Sequence, residues 1–367
     1  MRFFTRKPKE LREFQKALKQ HDYETAVELV KSGLIPEEQV HEAQSRHRIA
    51  QAFWAYGRDT EKTAYIDQLL GRADAPTAQQ DKIHLGRAIQ ALRTGNFDVA
   101  FQHAKSITDK LYHSLAIRKV ATTIGRDPLQ VDKAIEAIQL IPKDDVKVDN
   151  LRKLSLAFAS RGHFEVIDKL VSAMPAIGGS FADRQYTTVV TDFYKNNQDK
   201  SEDEYEELAK KHPDLKNLAP ALYYCAHKNP DGVIKTLKRV VDPKARTALL
   251  SVYAQVLGLC ENYAESLAVL RAIPDLYQRR INIAYTLNAI LFPEDHAKSA
   301  IAELIGIEKH ENIGGLYSLE WPPLFIELAY SGQMQTVTDL LRGKADSRMK
   351  TKIEGELMDD LYSLAQH

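Results

Sequence analysis

The feature that most constrains the fold is a short motif that returns along the chain at a nearly regular spacing. Each copy has a turn residue, a polar residue, an aromatic residue or methionine, and then a short apolar helix. The clear copies begin at His21-Asp22-Tyr23, Gly95-Asn96-Phe97, Gly162-His163-Phe164, Glu261-Asn262-Tyr263 and Gly332-Gln333-Met334. Weaker copies lie near Gly57, Asp127, Asn197, Asn229 and Pro293. The steps of about 32 to 39 residues are typical of stacked two-helix units.

The length of the chain agrees with such an array. At 367 residues it exceeds the roughly 250–300 residues at which single cores stop growing, so it must split into domains or extend as a solenoid. No segment shows the sustained apolar–polar alternation of a strand. Seven prolines fall where predicted helices end or start: Pro128, Pro142, Pro175, Pro230, Pro243, Pro274 and Pro293. The sequence therefore predicts an all-α fold.

The repeat also suggests how the chain is organised. We expect a basic leader and first helix (1–20), an N-terminal helical-repeat half (21–195), an acidic irregular connection (196–217) and a C-terminal half with a capping helix (218–367). The sequence Ile177-Gly178-Gly179-Ser180 and the acidic run that follows Asn196 interrupt the pattern. A bend between two half-arrays and a continuous, irregular array both fit these interruptions.

The hairpins resemble tetratricopeptide (TPR) repeats. The match is best at Gly95-Phe97-Ala100 and His21-Tyr23-Ala26, and Trp321, Leu324 and Leu328 ahead of Gly332 have the apolar spacing of the first helix of such a repeat. The small glycine of that helix is replaced here by Ser155, Ala88, Ala254 or Phe325. The resemblance implies a right-handed α-α superhelix, a TPR-like solenoid of about nine to ten helical hairpins. In such arrays the first helix of each hairpin lines the concave side.

This geometry predicts a partner-binding groove. Taking the positions two, three, six, ten and thirteen before each turn residue as inward selects Gln44, His47, Gln51, Trp54, Lys82, Arg93, Lys119, Arg126, Arg152, Arg184, Tyr194, Lys195, Tyr223, His227, Arg279 and Asn282. Cations outnumber the single clear acid, Asp149, although the 50 basic and 50 acidic side chains of the chain cancel. A basic lining would attract a peptide carboxylate, an acidic segment or a phosphate. If the register is shifted by one or two residues, these cations are instead solvated.

The sequence gives little indication of catalysis or of a bound metal. It contains no His-Glu-x-x-His, Walker or Gly-x-Ser-x-Gly motif. His41 and His47 are six residues apart, which puts them on different faces of one helix. Cys225 and Cys260 lie one repeat apart and are expected to be buried, reduced thiols. We therefore expect no enzyme activity, no cofactor and no metal, with an active site spread over several repeats as the remaining possibility for an enzyme.

The favoured function is that of a noncatalytic interaction scaffold or adaptor, because solenoids offer large continuous surfaces for proteins and peptides. The alternative is a helical-repeat regulator that binds nucleic acid, although few aromatic residues are interleaved with the cations. The N-terminal 20 residues carry seven basic and two acidic side chains with Phe3 and Phe4 at the tip, so they either touch anionic lipid or nucleic acid or simply lead into the first helix. No export signal or apolar span of about 20 residues is seen, so we expect a cytoplasmic protein without an integral membrane segment.

Overall fold

The computed structural model describes residues 9–20, 77–175, 180–212 and 215–311, with short pieces at 25, 28–29, 32–36, 323–324 and 327. Over these residues the chain is all-helical, as predicted, and contains no strand. The helices are α1 (Lys9–Gln20), α2 (Thr77–Arg93), α3 (Phe97–Lys105), α4 (Lys110–Ile124), α5 (Val131–Gln139), α6 (Asp144–Ser160), α7 (Ile167–Ser172), α8 (Ser180–Asn197), α9 (Glu202–Lys210), α10 (Ala219–Ala226), α11 (Pro230–Leu237), α12 (Pro243–Leu259), α13 (Tyr263–Arg271), α14 (Leu276–Ala289) and α15 (Glu294–Glu311).

Consecutive helices pair as hairpins. The pairs with extensive contacts are α2 with α3, α4 with α5, α6 with α7, α10 with α11, α12 with α13, and α14 with α15. The first helix of a hairpin also packs on the first helix of the next, as α2 does on α4 and α12 on α14. Second helices stack in the same way from α11 to α13 to α15. The hairpins from α10 to α15 therefore form two layers, one of first helices and one of second helices.

Four hairpin turns share one backbone conformation. Each has a residue in the left-handed region, with φ of 74° at Gly95, 80° at Gly162, 52° at Lys228 and 63° at Glu261. These residues lie one or two steps of about 33 residues apart, which is the period read from the sequence. Left-handed backbone favours glycine, so the turn position of the motif has a direct physical cause.

The turn after α12 shows how this conformation ends the first helix. The Asn262 N–H donates to the carbonyl of Leu257 at 2.9 Å, and the Glu261 N–H donates to the carbonyl of Gly258 at 3.1 Å. These paired bonds satisfy carbonyls that the end of a helix leaves without partners. Five residues after the turn residue, Ser266 is fully buried, and Ala100 occupies the same place in the α2–α3 hairpin.

Several first helices are buried on every face. Eight consecutive residues are buried in α4 (115–122) and in α6 (153–160), and seven are buried in α12 (253–259). The cause is a contact between helices that are distant in sequence, because α4 packs against α14 and α6 packs against α12. These helices therefore lie between the second helices of their own hairpins and first helices from the other end of the chain.

The acidic stretch that was predicted to be an irregular connection contains α9. Ser201 and Glu204 form a capping box, in which the Glu204 N–H donates to Ser201 Oγ and the Ser201 N–H donates to Glu204 Oε2. The helix is held by burial of Tyr205 and Ala209. Three of the acidic side chains, Glu202, Asp203 and Glu204, thus belong to the first turn of a helix, where they are favourable next to its positive end.

A histidine pair in the α2–α3 hairpin predicts that stability depends on pH. The Nδ1 atoms of His84 and His103 lie 3.1 Å apart. Burial lowers the pKa of His103 to about 4, and the nearby His84 and Arg87 add to this effect. Burial and Arg87 also lower the pKa of His84.

Because the histidine pKa values are lower in the folded protein than the ordinary value of 6.5, protonation favours the unfolded chain. We expect the unfolding free energy to be highest above pH 6.5 and to fall by about 1 kcal/mol between pH 6.5 and 4, an amount reduced by solvent at these half-exposed rings. The measurement is urea unfolding of the wild type and of His103→Gln across this pH range. If the difference in unfolding free energy between the two proteins does not change with pH, the expectation is contradicted.

Candidate functional site

A cavity of about 490 Å³ lies at the side of the array where first helices turn into second helices. We call it the turn-side cavity. The described residues that line it come from the ends of α2 and α4 and the residues just after them, from the starts of α3, α13 and α15, and from the loop 291–293. They include two cations, Arg93 and Arg126, and three aromatic rings, Phe97, Tyr263 and Phe292. Pockets of about 300–1,000 Å³ are the size that binds small ligands or a few side chains.

The repeat explains why these residues meet. Phe97 and Tyr263 occupy the aromatic position of the motif, two residues after the left-handed turn residue. Arg93 precedes its turn residue, Gly95, by two positions. Stacking of hairpins therefore brings equivalent positions of different repeats to one side of the array. Phe292, from the loop after α14, packs on Tyr263 with ring centroids 4.9 Å apart.

A buried carboxylate links two of the predicted groove cations. Glu327 Oε1 accepts a hydrogen bond from Arg93 Nη2 at 3.1 Å, and Glu327 Oε2 accepts one from Lys119 Nζ. Lys119 Nζ also donates to the carbonyl of Leu287 at 2.8 Å. Lys119 and Glu327 are only 3% and 4% exposed, so this ion pair is inside the protein. Burial lowers the pKa of Lys119, and the partner Glu327 opposes that effect.

Arg126 is held by three contacts. Its Nη2 donates to the carbonyl of Leu291 at 2.9 Å, its Nη1 donates to Glu261 at 3.3 Å, and its guanidinium lies 5.6 Å from the centre of the Tyr263 ring. The Nε atoms of Arg93 and Arg126 are buried and have no hydrogen-bond acceptor among the described residues. A buried donor without an acceptor is costly, and an arginine N–H is a strong donor to an anion. Both arginines line the turn-side cavity.

A second ionic cluster lies on α6 and reaches α8. Asp149 accepts hydrogen bonds from Arg152 at 3.0 Å and from Lys153, and Arg152 also bonds Asp183 at 3.0 Å. Burial raises the pKa of Asp149, but Lys153 and Arg152 bring it below its ordinary value. Burial also lowers the pKa of Lys153 to about 8. The cations of this cluster are neutralised by carboxylates on the same protein.

Two further arginines of the predicted groove tie neighbouring helices together. Arg279 Nε donates to the carbonyl of Ile273 at 2.9 Å, and Arg184 Nη2 donates to the carbonyl of Met174. In both cases the carbonyl lies just after the preceding second helix. These guanidiniums satisfy helix-end carbonyls that would otherwise lack partners.

The other predicted groove residues that the structure describes make separate contacts. The Tyr223 and His227 rings are 4.1 Å apart, and Tyr194 is buried. Lys195 Nζ lies 5.8 Å from the centre of the Phe164 ring, and Asn282 donates to a carbonyl of its own helix. Lys82 belongs to α2. Four predicted residues lie outside the described part of the chain: Gln44, His47, Gln51 and Trp54. Of the predicted set, the structure brings Arg93, Lys119 and Arg126 together.

The inward positions of the sequence pattern do not include Glu327 or the three rings. Glu327 lies five positions before Gly332, and the inward register omitted that position. Phe97 and Tyr263 were recognised as repeat residues, and their place in the motif is a signal that could have assigned them to one side of the array. Phe292 is outside the motif and carried no such signal.

A comparison with family models, curated proteins and solved structures finds no match to this chain. None of the helices in the described ranges is long and apolar enough to cross a membrane. Within the same ranges, no three His, Cys, Asp or Glu side chains are grouped so that they could hold a metal ion.

Proposed function

We propose that this protein is a noncatalytic scaffold or adaptor with TPR-like repeats that binds an acidic segment of a partner protein. The proposal includes a right-handed superhelix of about nine to ten hairpins and a cytoplasmic location. The single observation that carries the binding role is the turn-side cavity, which is lined by two arginines, Arg93 and Arg126, whose Nε–H groups have no acceptor among the described residues.

The two arginines of the cavity favour an anionic partner, although Arg93 already pairs with Glu327 and Arg126 with Glu261. An incoming carboxylate would accept charge-assisted hydrogen bonds from guanidinium groups that are mostly withdrawn from water, since the Arg93 and Arg126 side chains are 15% and 14% exposed. Arginine is suited to this task because its donors are held in a rigid plane. The proposed site is at the hairpin turns, because the first helices α4 and α6 are covered by α14 and α12.

The proposal is tested with labelled acidic peptides. We expect capped ten-residue peptides that mix glutamate with apolar residues to bind the full chain with micromolar affinity, and the same peptides with glutamine to bind at least about tenfold more weakly. Fluorescence anisotropy at low and moderate salt measures both. A labelled single-stranded DNA of 20 nucleotides is the comparison. Failure of all acidic peptides to bind, or tighter binding of the DNA than of any peptide, would contradict the proposal.

A further inference from the structure

The turn-side cavity has more than an anion site. Its wall combines guanidinium groups with three aromatic rings, and the apolar side chains Leu92 and Leu291 lie beside them. We propose that the cavity recognises a pair of adjacent side chains in the partner segment, one carboxylate and one aromatic ring. This inference rests on the proposed function and specifies the chemistry of the partner.

Unused donors of the two arginines suit a carboxylate. Each guanidinium has five N–H donors. Arg93 donates from Nη2 to Glu327, and Arg126 donates from Nη2 to the Leu291 carbonyl and from Nη1 to Glu261, so donors remain on both arginines. A carboxylate has two oxygens and can accept one hydrogen bond from each arginine.

The negative charges around the cavity disfavour a more highly charged ligand. Glu294 is part of the lining, and Glu261 and Glu327 already contact the two arginines. A phosphate, with up to two negative charges, would bring more repulsion from these carboxylates than one carboxylate brings. The balance of charge therefore favours an aspartate or glutamate side chain.

The aromatic rings form the second half of the site. Tyr263 and Phe292 pack with their centroids 4.9 Å apart and an interplanar angle of 56°. Arg126 lies 5.6 Å from the centre of the Tyr263 ring, so the cation and the ring surface are neighbours. A partner ring placed against these rings would make tilted aromatic contacts and bury its apolar area. The volume of about 490 Å³ gives room for such a ring beside a carboxylate.

The test uses short peptides without terminal charges. The probe is acetyl-Gly-Gly-Phe-Glu-Gly-Gly-amide, and its variants replace Glu by Gln, Phe by Ala, or both. Isothermal titration calorimetry with the full chain measures each affinity. We expect each single replacement to weaken binding about tenfold or more, because each removes one half of the recognised pair.

Protein variants locate the binding. Arg126→Gln and Phe97→Ala should each weaken binding of the Phe-Glu peptide about tenfold. Arg271→Gln is the matched control, because Arg271 is an exposed arginine that pairs with Glu303 near the opposite end of α13. We expect that variant to bind as the wild type does. Circular dichroism checks that each variant is folded. If Arg126→Gln does not fold, the Phe97→Ala protein and the peptide series still test the site.

The outcomes separate this inference from the proposed function. Suppose that acidic peptides bind, and that neither the Phe→Ala change in the peptide nor Phe97→Ala in the protein weakens binding. The aromatic half of the inference is then overturned, while the scaffold proposal stands. If the Glu→Gln peptide binds equally well, the carboxylate half is overturned. If the broader set of acidic ten-residue peptides also fails to bind, both proposals fall together.

Discussion

Replacing Glu327 by glutamine should lower the unfolding free energy by about 3–5 kcal/mol, the usual range for a buried charge that loses its partner. The carboxylate serves two cations, Lys119 and Arg93, that lie on helices far away in sequence. Lys119 is 3% exposed, so its ammonium cannot be rehydrated without opening the structure. Urea unfolding followed by circular dichroism measures the change.

Two further variants show whether the carboxylate itself is responsible. The double replacement Lys119→Met with Glu327→Leu removes both charges and should recover most of the lost stability, because apolar side chains of similar size can replace a buried ion pair. Glu303→Gln breaks the exposed ion pair with Arg271 and should change stability by less than about 1 kcal/mol. If Glu327→Gln is as mild as Glu303→Gln, the two buried cations do not depend on Glu327.

Replacing Gly232 by alanine should also be severe, with a loss of about 3 kcal/mol from overpacking. A Cβ at this position would lie 2.4 Å from Cδ1 of Tyr224, well inside van der Waals contact. The ring has little freedom to move, because Tyr224 is 1% exposed and its hydroxyl lies 2.9 Å from Glu202 Oε1 and 2.8 Å from Glu206 Oε1, with its one hydrogen available to either carboxylate. Thermal and urea unfolding both report the loss.

The control for this variant is Gly306→Ala. Gly306 is in the interior of α15, and among the described residues no heavy atom outside the nearby backbone of that helix lies within 4 Å of the Cβ that alanine would add. Since alanine is a better helix former than glycine, we expect this change to stabilise the protein by about 0.5–1 kcal/mol. Equal effects at the two positions would show that the contact with Tyr224 is not the cause.

Local features of the fold could be predicted from the sequence. Gly95, Gly162 and Glu261 were recognised as turn residues, and all three have left-handed backbone. Such signals are readable because a turn depends on a few neighbouring residues. The hydrogen bond of Arg279 is also local, since this side chain donates to a carbonyl six residues earlier. Arg246 binds the carbonyl of Val240 in the same way, so this repeated pattern was available in the sequence.

The partners of the buried cations could not be predicted. Lys119 and Glu327 are 208 positions apart, and Arg93 and Glu327 are 234 apart. A repeat period shows that hairpins stack, but it does not show which distant helices meet. The contacts of α4 with α14 and of α6 with α12 are of this kind. They explain why Lys119, which the helical register placed on a groove surface, is buried against another part of the chain.

Those contacts between distant first helices have a consequence for how the chain unfolds. In an open solenoid each repeat touches only its neighbours, so a unit can be gained or lost at modest expense. Here α4 and α6 also contact α14 and α12. Losing one of these helices would uncover apolar surface on a helix that is distant in sequence, so we expect the described hairpins to unfold together, whereas a simple solenoid would fray from its ends.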